Sequence, residues 1–414
     1  MLLFERKQAV FLLLLFIFSS FGVQAQQWAV KIRLSDKAVV SMVTIFPGEA
    51  LYSMYGHTAI RVDDPENDID LLYNYGQASV PFDSGFVPRF VSGDLPFILG
   101  VIDSLRAFKF YMKYEDRSIY EQVLDLSREE KQAVFSYLAE NATEENRTYI
   151  YDFFFDNCTT RVRDLLYDVF GVGLMMPEST AAGSTSYRED ISPCLMGVPY
   201  VMFGINLMLG RLTDTEVPKE RSLYLPLQLM DAVEEARLIR DDGPAAFVQS
   251  SCYIYTRQRS DPAPFFPGPG AVLWLLFLAG LLLAVFNRRL SAAGRIFDFS
   301  VFFLTGAIGG AAALLWIFSG YEMTTWNLNV FWAWPTHIAA AFFFLRKRPG
   351  AEHGPAVFFP YLVLNTAVSG CVLIISPLLL QNLPAAVIPL MLTVIMRGVL
   401  KIVCIKKAKY AHNA

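Results

Sequence analysis

Apolar and polar positions alternate with one rhythm in the first part of this chain and another in the last. From residue 26 to 261 the apolar stretches are short and broken by polar residues. From residue 271 onward they lengthen toward the roughly 20 residues that a helix needs to cross a bilayer. Between the two parts, Pro262, Pro264, Pro267, Gly268, Pro269 and Gly270 exclude helix or sheet interior, so 262–270 reads as a linker between domains. The apolar stretches at 271–286, 299–319, 330–345, 356–380 and 385–404 predict an all-α, five-helix transmembrane domain over 271–405, followed by a short tail at 406–414.

The first part has the pattern of an α+β domain. Segments 39–46, 58–62 and 71–75 are rich in β-branched and aromatic residues and predict strands, with 63–70, containing Pro65 and Asn67, as the turn between two of them. Ser127 followed by Glu130 is a capping box, which opens a helix to about residue 140. Val162, Leu165, Leu166 and Val169 recur at helical spacing over 159–169, just after an apolar run at 149–155. The sum is a small antiparallel sheet with helices. The apolar segment 198–212 reads either as ordinary core or as a piece that shields a site or dips into lipid.

At the N-terminus, Arg6 and Lys7 precede an apolar run from Ala9 to Phe18 and a small-x-small site at Val23, Gln24 and Ala25, the layout of a signal peptide over 1–25. The basic residues among the later spans occupy alternate connections: Arg288, Arg289 and Arg295, then Arg346, Lys347 and Arg348, then Lys406, Lys407 and Lys409. By the positive-inside rule the C-terminus is cytoplasmic and 26–261 is exported, in agreement with the signal peptide.

Composition supports the same picture. The chain of 414 residues is 54% hydrophobic and 18% charged, too apolar for an ordinary soluble enzyme of that length. With a net charge of −4 and no basic stripe in the exported part, nucleic-acid binding is excluded from the expectations. Three of the five cysteines (Cys158, Cys194 and Cys252) are exported, where Cys194 and Cys252 could pair and leave Cys158 as a free thiol.

Cys158 falls where the run 149–155 gives way to a helix. The orphan amides and positive dipole end of a helix start favour a thiolate and can bind an oxyanion, although a small buried hydrophobe is the commoner fate of a lone cysteine. The exported part holds one histidine, His57, at the head of a strand after Gly56, and it is the available base for a thiol. That part has no paired spacing of metal ligands, so neither a metal nor a cofactor is expected. His337 lies in an apolar span, where an ionisable residue marks a buried pair or a functional site.

The motif His57-Thr58-Ala59-Ile60, followed much later by Asn157-Cys158 at a helix start, resembles the circularly permuted, papain-like branch of the NlpC-type hydrolases, which includes lecithin:retinol acyltransferase. That resemblance implies Cys158 as nucleophile, His57 as base, and a polar residue on the next strand, Asn74, to orient the imidazole. The fuller layout is closer still to one family. Tyr55 to Arg61, Tyr73 to Gly76, Asp156 to Asp164, Asn327 to Asn329 and Trp334 to His337 look like Lnb, the lipoprotein N-acyltransferase family of Bacteroides-like bacteria.

The second resemblance implies acyl transfer from a phospholipid, through a thioester, to the α-amine of a diacylated lipoprotein, by a multi-pass protein of the bacterial inner membrane with its catalytic domain in the periplasm. Arg61, Arg161 and Arg163 then become candidates for the donor's phosphate, and His337 for substrate contact. Two other classes stay open: an NlpC-type amidase or peptidase acting on peptidoglycan, and a membrane scaffold carrying a degenerate hydrolase domain.

Overall fold

The computed structural model describes residues 32–79, 85–177, 186–259, 267–286, 291–345 and 358–413. The expected signal peptide, most of the linker, and the arginines at 288, 289, 346 and 348 lie outside them. The chain forms two compact units, Met1–Ser184 with Val217–Ser260, and Thr185–Glu216 with Asp261–Ala414.

The first unit is built on strands β1 (Val39–Ile45), β2 (His57–Asp64), β3 (Ile69–Ala78), β4 (Pro96–Asp103), β5 (Ile119–Leu124), β6 (Thr148–Ile150), β7 (Leu174–Met175), β8 (Arg237–Arg240), β9 (Gly243–Ala246) and β10 (Val248–Tyr255). Seven of them make one sheet in the order β10-β5-β1-β2-β3-β4-β6, with every neighbouring pair antiparallel. The sheet is therefore larger than the small one expected. Its flanks escaped notice because strands such as β10, Val-Gln-Ser-Ser-Cys-Tyr-Ile-Tyr, lack an alternating apolar face and are recruited by pairing with β5.

Both faces of the central strands are covered. Val40, Met42, Ile60, Val62 and Tyr73 pack on one side against Val162, Leu165 and Leu166 of helix Cys158–Phe170, Phe135 and Leu138 of helix Arg128–Asn141, and Leu229 and Val233 of helix Pro226–Glu235. Val43, Ile45, Ala59 and Leu72 alternate to the other side, against Ala107 and Phe108 of helix Ser104–Phe110. The capping box expected at Ser127 and Glu130 is present and opens helix Arg128–Asn141.

The second unit is helical, and three of its helices are long and apolar enough to cross a membrane: Ala292–Phe318, Phe358–Leu378 and Ala385–Lys406. The five-span expectation differs from this at two places. The first apolar stretch is the 17-residue helix Pro269–Val285 as far as the described residues run. The third is not one helix: 330–345 divides into a 3-10 turn, Leu328–Phe331, and the nine-residue helix His337–Leu345. Pro335 explains the break, since proline disfavours helix at the residue before it and offers no amide to a continuing ladder.

Segment 185–216 also belongs to this unit, so the compact units do not divide at the linker. Buried Arg188 holds it together, bonding to Asp214 at 2.9 Å, to Asn206 Oδ1 at 2.7 Å and to Thr213 at 2.7 Å. The Asn327-Leu328-Asn329 motif has a structural use: both asparagine amides donate to the Leu207 carbonyl, at 2.8 and 3.1 Å.

Candidate active site

Helix Cys158–Phe170 begins where it does because Asn157 caps it. The Asn157 side chain accepts from the amides of Thr159 (2.7 Å) and Thr160 (3.0 Å), and the Thr160 hydroxyl accepts from the Asn157 amide at 2.8 Å. Asn157 Nδ2 in turn donates to the carbonyls of Phe153 and Tyr224, which anchors the cap in the core. Cys158 is thereby set at the first helical position, where its own N–H has no acceptor within the helix.

Two features bring β2 to this point. Gly56, at φ +85°, makes the turn into β2, and a Cβ there would stand 3.0 Å from the Ile45 carbonyl. The hydroxyls of Thr58 and Thr159 then meet at 3.2 Å, each one residue beyond His57 and Cys158. That contact aligns strand and helix starts and brings the His57 side chain beside the Cys158 thiol, close enough to favour the thiolate.

Asn74 completes the row from β3. Its Nδ2 donates to the Leu72 carbonyl at 3.2 Å, which turns Oδ1 toward His57 Nε2, also at 3.2 Å. With Nε2–H donated to Asn74, Nδ1 is the nitrogen left for the thiol. The register of β3 against β4 shifts between Asn74 and Gln77, and Gly76 within that bulge has φ +90°.

Burial pushes the Cys158 thiol up, but the charge and hydrogen bond of His57, the Thr58 amide and the Thr159 hydroxyl outweigh it and lower its pKa from 9.0 to about 7. A thiol of that kind is half ionised near neutrality and beside its own proton acceptor. Chemically, the arrangement can attack a carbonyl carbon and return a proton to a leaving group.

The other expected site residues divide. Arg61 is on β2, yet its guanidinium is taken by Asp70 (2.7 and 3.0 Å), Glu121 (3.1 Å) and Asp63 (3.2 Å), so it ties neighbouring strands and has no free face for a phosphate. Arg163 similarly bonds the Ser222 carbonyl and Asp164. Arg161 does stand near Cys158, one helical turn on, but as a support. It pairs through two nitrogens with Asp156 and lies 4.2 Å over the ring of Tyr149. His337 belongs to the helical unit, where its Nδ1 meets the Thr305 hydroxyl at 2.9 Å. The disulfide considered for Cys194 and Cys252 is absent, both being free thiols.

Tyr149 was not foreseen. It is 8% exposed, and its buried hydroxyl has no hydrogen-bond partner among the described residues. A Cβ on Gly76 would stand 3.5 Å from Cys158 Cβ and 3.9 Å from that hydroxyl, so the space that Gly76 leaves open joins the two. Burial raises the phenol's pKa, which keeps it a neutral donor. Nothing in the run Tyr149-Ile150-Tyr151 marks this role locally, because it depends on the pairing of β6 with β4. Among the described residues no group of His, Cys, Asp or Glu is placed to hold a metal ion.

Residues 24–179 match the family described as the Lnb N-terminal periplasmic domain, and residues 261–409 match the Lnb transmembrane domain. The chain belongs to the Lnb family. It is a membrane protein that carries a periplasmic domain, and the Cys158 site of this Lnb chain lies within the span matched by that domain. No curated protein and no solved structure matches it.

Proposed function

We propose that this protein is a lipoprotein N-acyltransferase that moves a fatty acyl chain from a phospholipid, through a thioester on Cys158, to the α-amine of a diacylated lipoprotein. The observation that carries this reading is the row Cys158, His57, Asn74, with the thiol lowered to about 7, in a chain that also holds membrane-length helices. A histidine strand that precedes the cysteine helix suits a permuted papain-like domain. On this reading the domain faces the periplasm from the inner membrane and the C-terminus is cytoplasmic.

In the first half-reaction His57 Nδ1 takes the thiol proton, and the Cys158 sulfur attacks the ester carbonyl of the donor. The tetrahedral oxyanion is met by the free N–H of Cys158 and by the Tyr149 hydroxyl. As the carbon–oxygen bond breaks, His57 returns the proton to the departing lysophospholipid alcohol and the acyl chain remains as a thioester. In the second half, the lipoprotein amine attacks that thioester and passes a proton to His57. The amide forms, and the Cys158 thiol is restored with the same proton.

The surroundings suit an acyl chain. Phe97 and Tyr151 pack at 4.5 Å and Tyr55 and Phe153 at 4.3 Å, while the thiol itself is buried, which protects a waiting thioester from water. Both substrates are held in a bilayer, so a membrane-anchored transferase gains effective concentration without high intrinsic affinity.

The test is mass spectrometry of lipoprotein N-terminal peptides from cells in which this protein, or its Cys158→Ala form, replaces the resident N-acyltransferase. Triacylated peptides from the first and diacylated ones from the second support the reading. Triacylation by both removes Cys158 as nucleophile, and triacylation by neither favours a cell-wall amidase built on the same dyad.

A further inference from the structure

Arg61, Arg161 and Arg163 are all engaged by carboxylates or carbonyls, but another arginine stands beside the same helix start. Arg221 ends the 3-10 turn Lys219–Arg221 and is exposed. Its guanidinium lies 4.6 Å over the ring of Phe155, three residues ahead of the nucleophile. The carboxylates on either side of that helix start, Asp156 and Asp164, are held by Arg161 and Arg163. Glu220, next to Arg221 in the turn, is exposed and forms no ion pair with it. Among the described residues the Arg221 guanidinium meets no acceptor.

Its position is fixed from two directions. Asp152 Oδ1 accepts from the amides of Phe154 (2.8 Å) and Phe155 (3.0 Å), and the Asp152 and Asp156 backbones exchange hydrogen bonds of 3.0 Å. Phe155 therefore sits in a closed turn that leads straight into Asn157 and Cys158. The chain leaving Arg221 is tied to the same place. The Ser222 carbonyl accepts from Arg163 at 2.8 Å, the Tyr224 carbonyl accepts from Asn157 Nδ2 at 3.1 Å, and the Tyr224 ring packs 5.8 Å from that of Phe154. Leu223, buried between them, has φ +58°, a left-handed conformation that a bulky residue adopts only where its surroundings fix it. The cap of the nucleophile and the seat of the guanidinium are parts of one framework.

A guanidinium seated on a ring and bonded to no acceptor keeps its N–H fork for a ligand, and that fork matches the oxygens of a phosphodiester. Reach agrees with this. Three residues separate Phe155 from Cys158, so their Cα atoms are at most about 10 Å apart. In an extended diacyl phospholipid the ester carbonyl carbon and the phosphorus are about 6–8 Å apart by ordinary bond lengths. A donor with its ester carbon against the Cys158 sulfur thus carries its phosphate across the span between the thiol and the ring under Arg221. The same cation separates the two substrates, since a phospholipid has a phosphodiester and a diacylated lipoprotein cysteine has none.

We propose that Arg221 binds the phosphodiester of the acyl donor and so makes the first half-reaction selective for phospholipid. The inference rests on the acyltransferase reading for the identity of the reaction, whereas the binding it names is measured without turnover.

The experiment follows iodoacetamide alkylation of Cys158 in the full chain in detergent, with a dialkyl ether phosphatidylethanolamine as probe, which has the phosphate and no ester to cleave. This lipid slows the alkylation; a dialkylglycerol ether without phosphate does so only at about 10-fold higher concentration, and inorganic phosphate does not. In Arg221→Gln the ether phospholipid loses that advantage. In Arg221→Lys, which keeps the charge and not the fork, it keeps part of it. The pH midpoint of alkylation without lipid is the same in all three chains. Equal protection by the two ether lipids in the native chain, protection by inorganic phosphate, or an undiminished advantage in Arg221→Gln overturns the proposal. So does a loss accompanied by a shifted midpoint, which would make Arg221 a support for the helix cap. With turnover, Arg221→Gln lowers kcat/KM for the phospholipid about 10-fold and leaves kcat/KM for a synthetic diacylated lipopeptide unchanged, and a fall in both overturns it. Phosphate-dependent protection in a chain that transfers no acyl group would instead count against the acyltransferase reading and leave the site standing.

Discussion

Replacing His57 by glutamine isolates what the imidazole does for Cys158. The folded thiol titrates at about 7 against an ordinary 9.0, a difference worth about 2.7 kcal/mol of thiolate stabilisation. Burial acts the other way, so without His57 the remaining Thr58 amide and Thr159 hydroxyl have only to offset burial, and the pKa returns to 9.0 or above. At pH 7.5 the thiolate fraction then falls from about three quarters to about 3%, a loss of roughly 25-fold. The assay is alkylation by iodoacetamide across pH 5.5 to about 10, followed at the Cys158 peptide by mass spectrometry, with exposed Cys252 as an internal control. The reasoning is refuted if the native midpoint lies near that of Cys252, or if His57→Gln leaves it near 7. The linkage has a sign. A depressed thiol pKa adds stability that is fully present above pH 9.0 and disappears as pH falls through 7, and His57→Gln should flatten this part of the stability profile.

Three further outcomes follow from the same geometry. Tyr149→Phe should lower kcat of acyl transfer by about 10²–10³-fold, the usual cost of an oxyanion donor, with little change in thermal midpoint because the hydroxyl has no partner to lose. Asn74→Ala frees the His57 ring and should lower kcat by about 10-fold to 100-fold, less than the roughly 10²–10⁴-fold expected for loss of the base itself, with the Cys158 alkylation midpoint moving upward in parallel. Arg188→Leu leaves Asp214 buried and unpaired, and should destabilise the helical unit by about 3–5 kcal/mol, measured as loss of folded protein in detergent on heating, while Cys158 alkylation in the surviving fraction is unchanged.

Much of the local structure could be read from residue pattern alone, because it depends on neighbours a few positions apart. The capping box at Ser127, the turn at Gly56, the strand at His57 and the helix that begins at Cys158 are all of this kind. Local chemistry therefore determined where a thiol and an imidazole stand on their own elements, and the apolar stretches after residue 271 determined that the chain enters a membrane. What the arginines do was not local. Arg61 meets Glu121 and Arg161 covers Tyr149 only after distant segments pair, so a residue type suited to phosphate became a strand tie and a ring support. The tertiary structure alone also decided the seven-strand sheet, the break of the third apolar stretch at Pro335, and the orphan hydroxyl of Tyr149 beside Gly76. The physical reason is common to all of these: hydrogen bonds and charges between residues far apart in sequence are settled by which backbone edges meet, and periodicity carries no record of that choice.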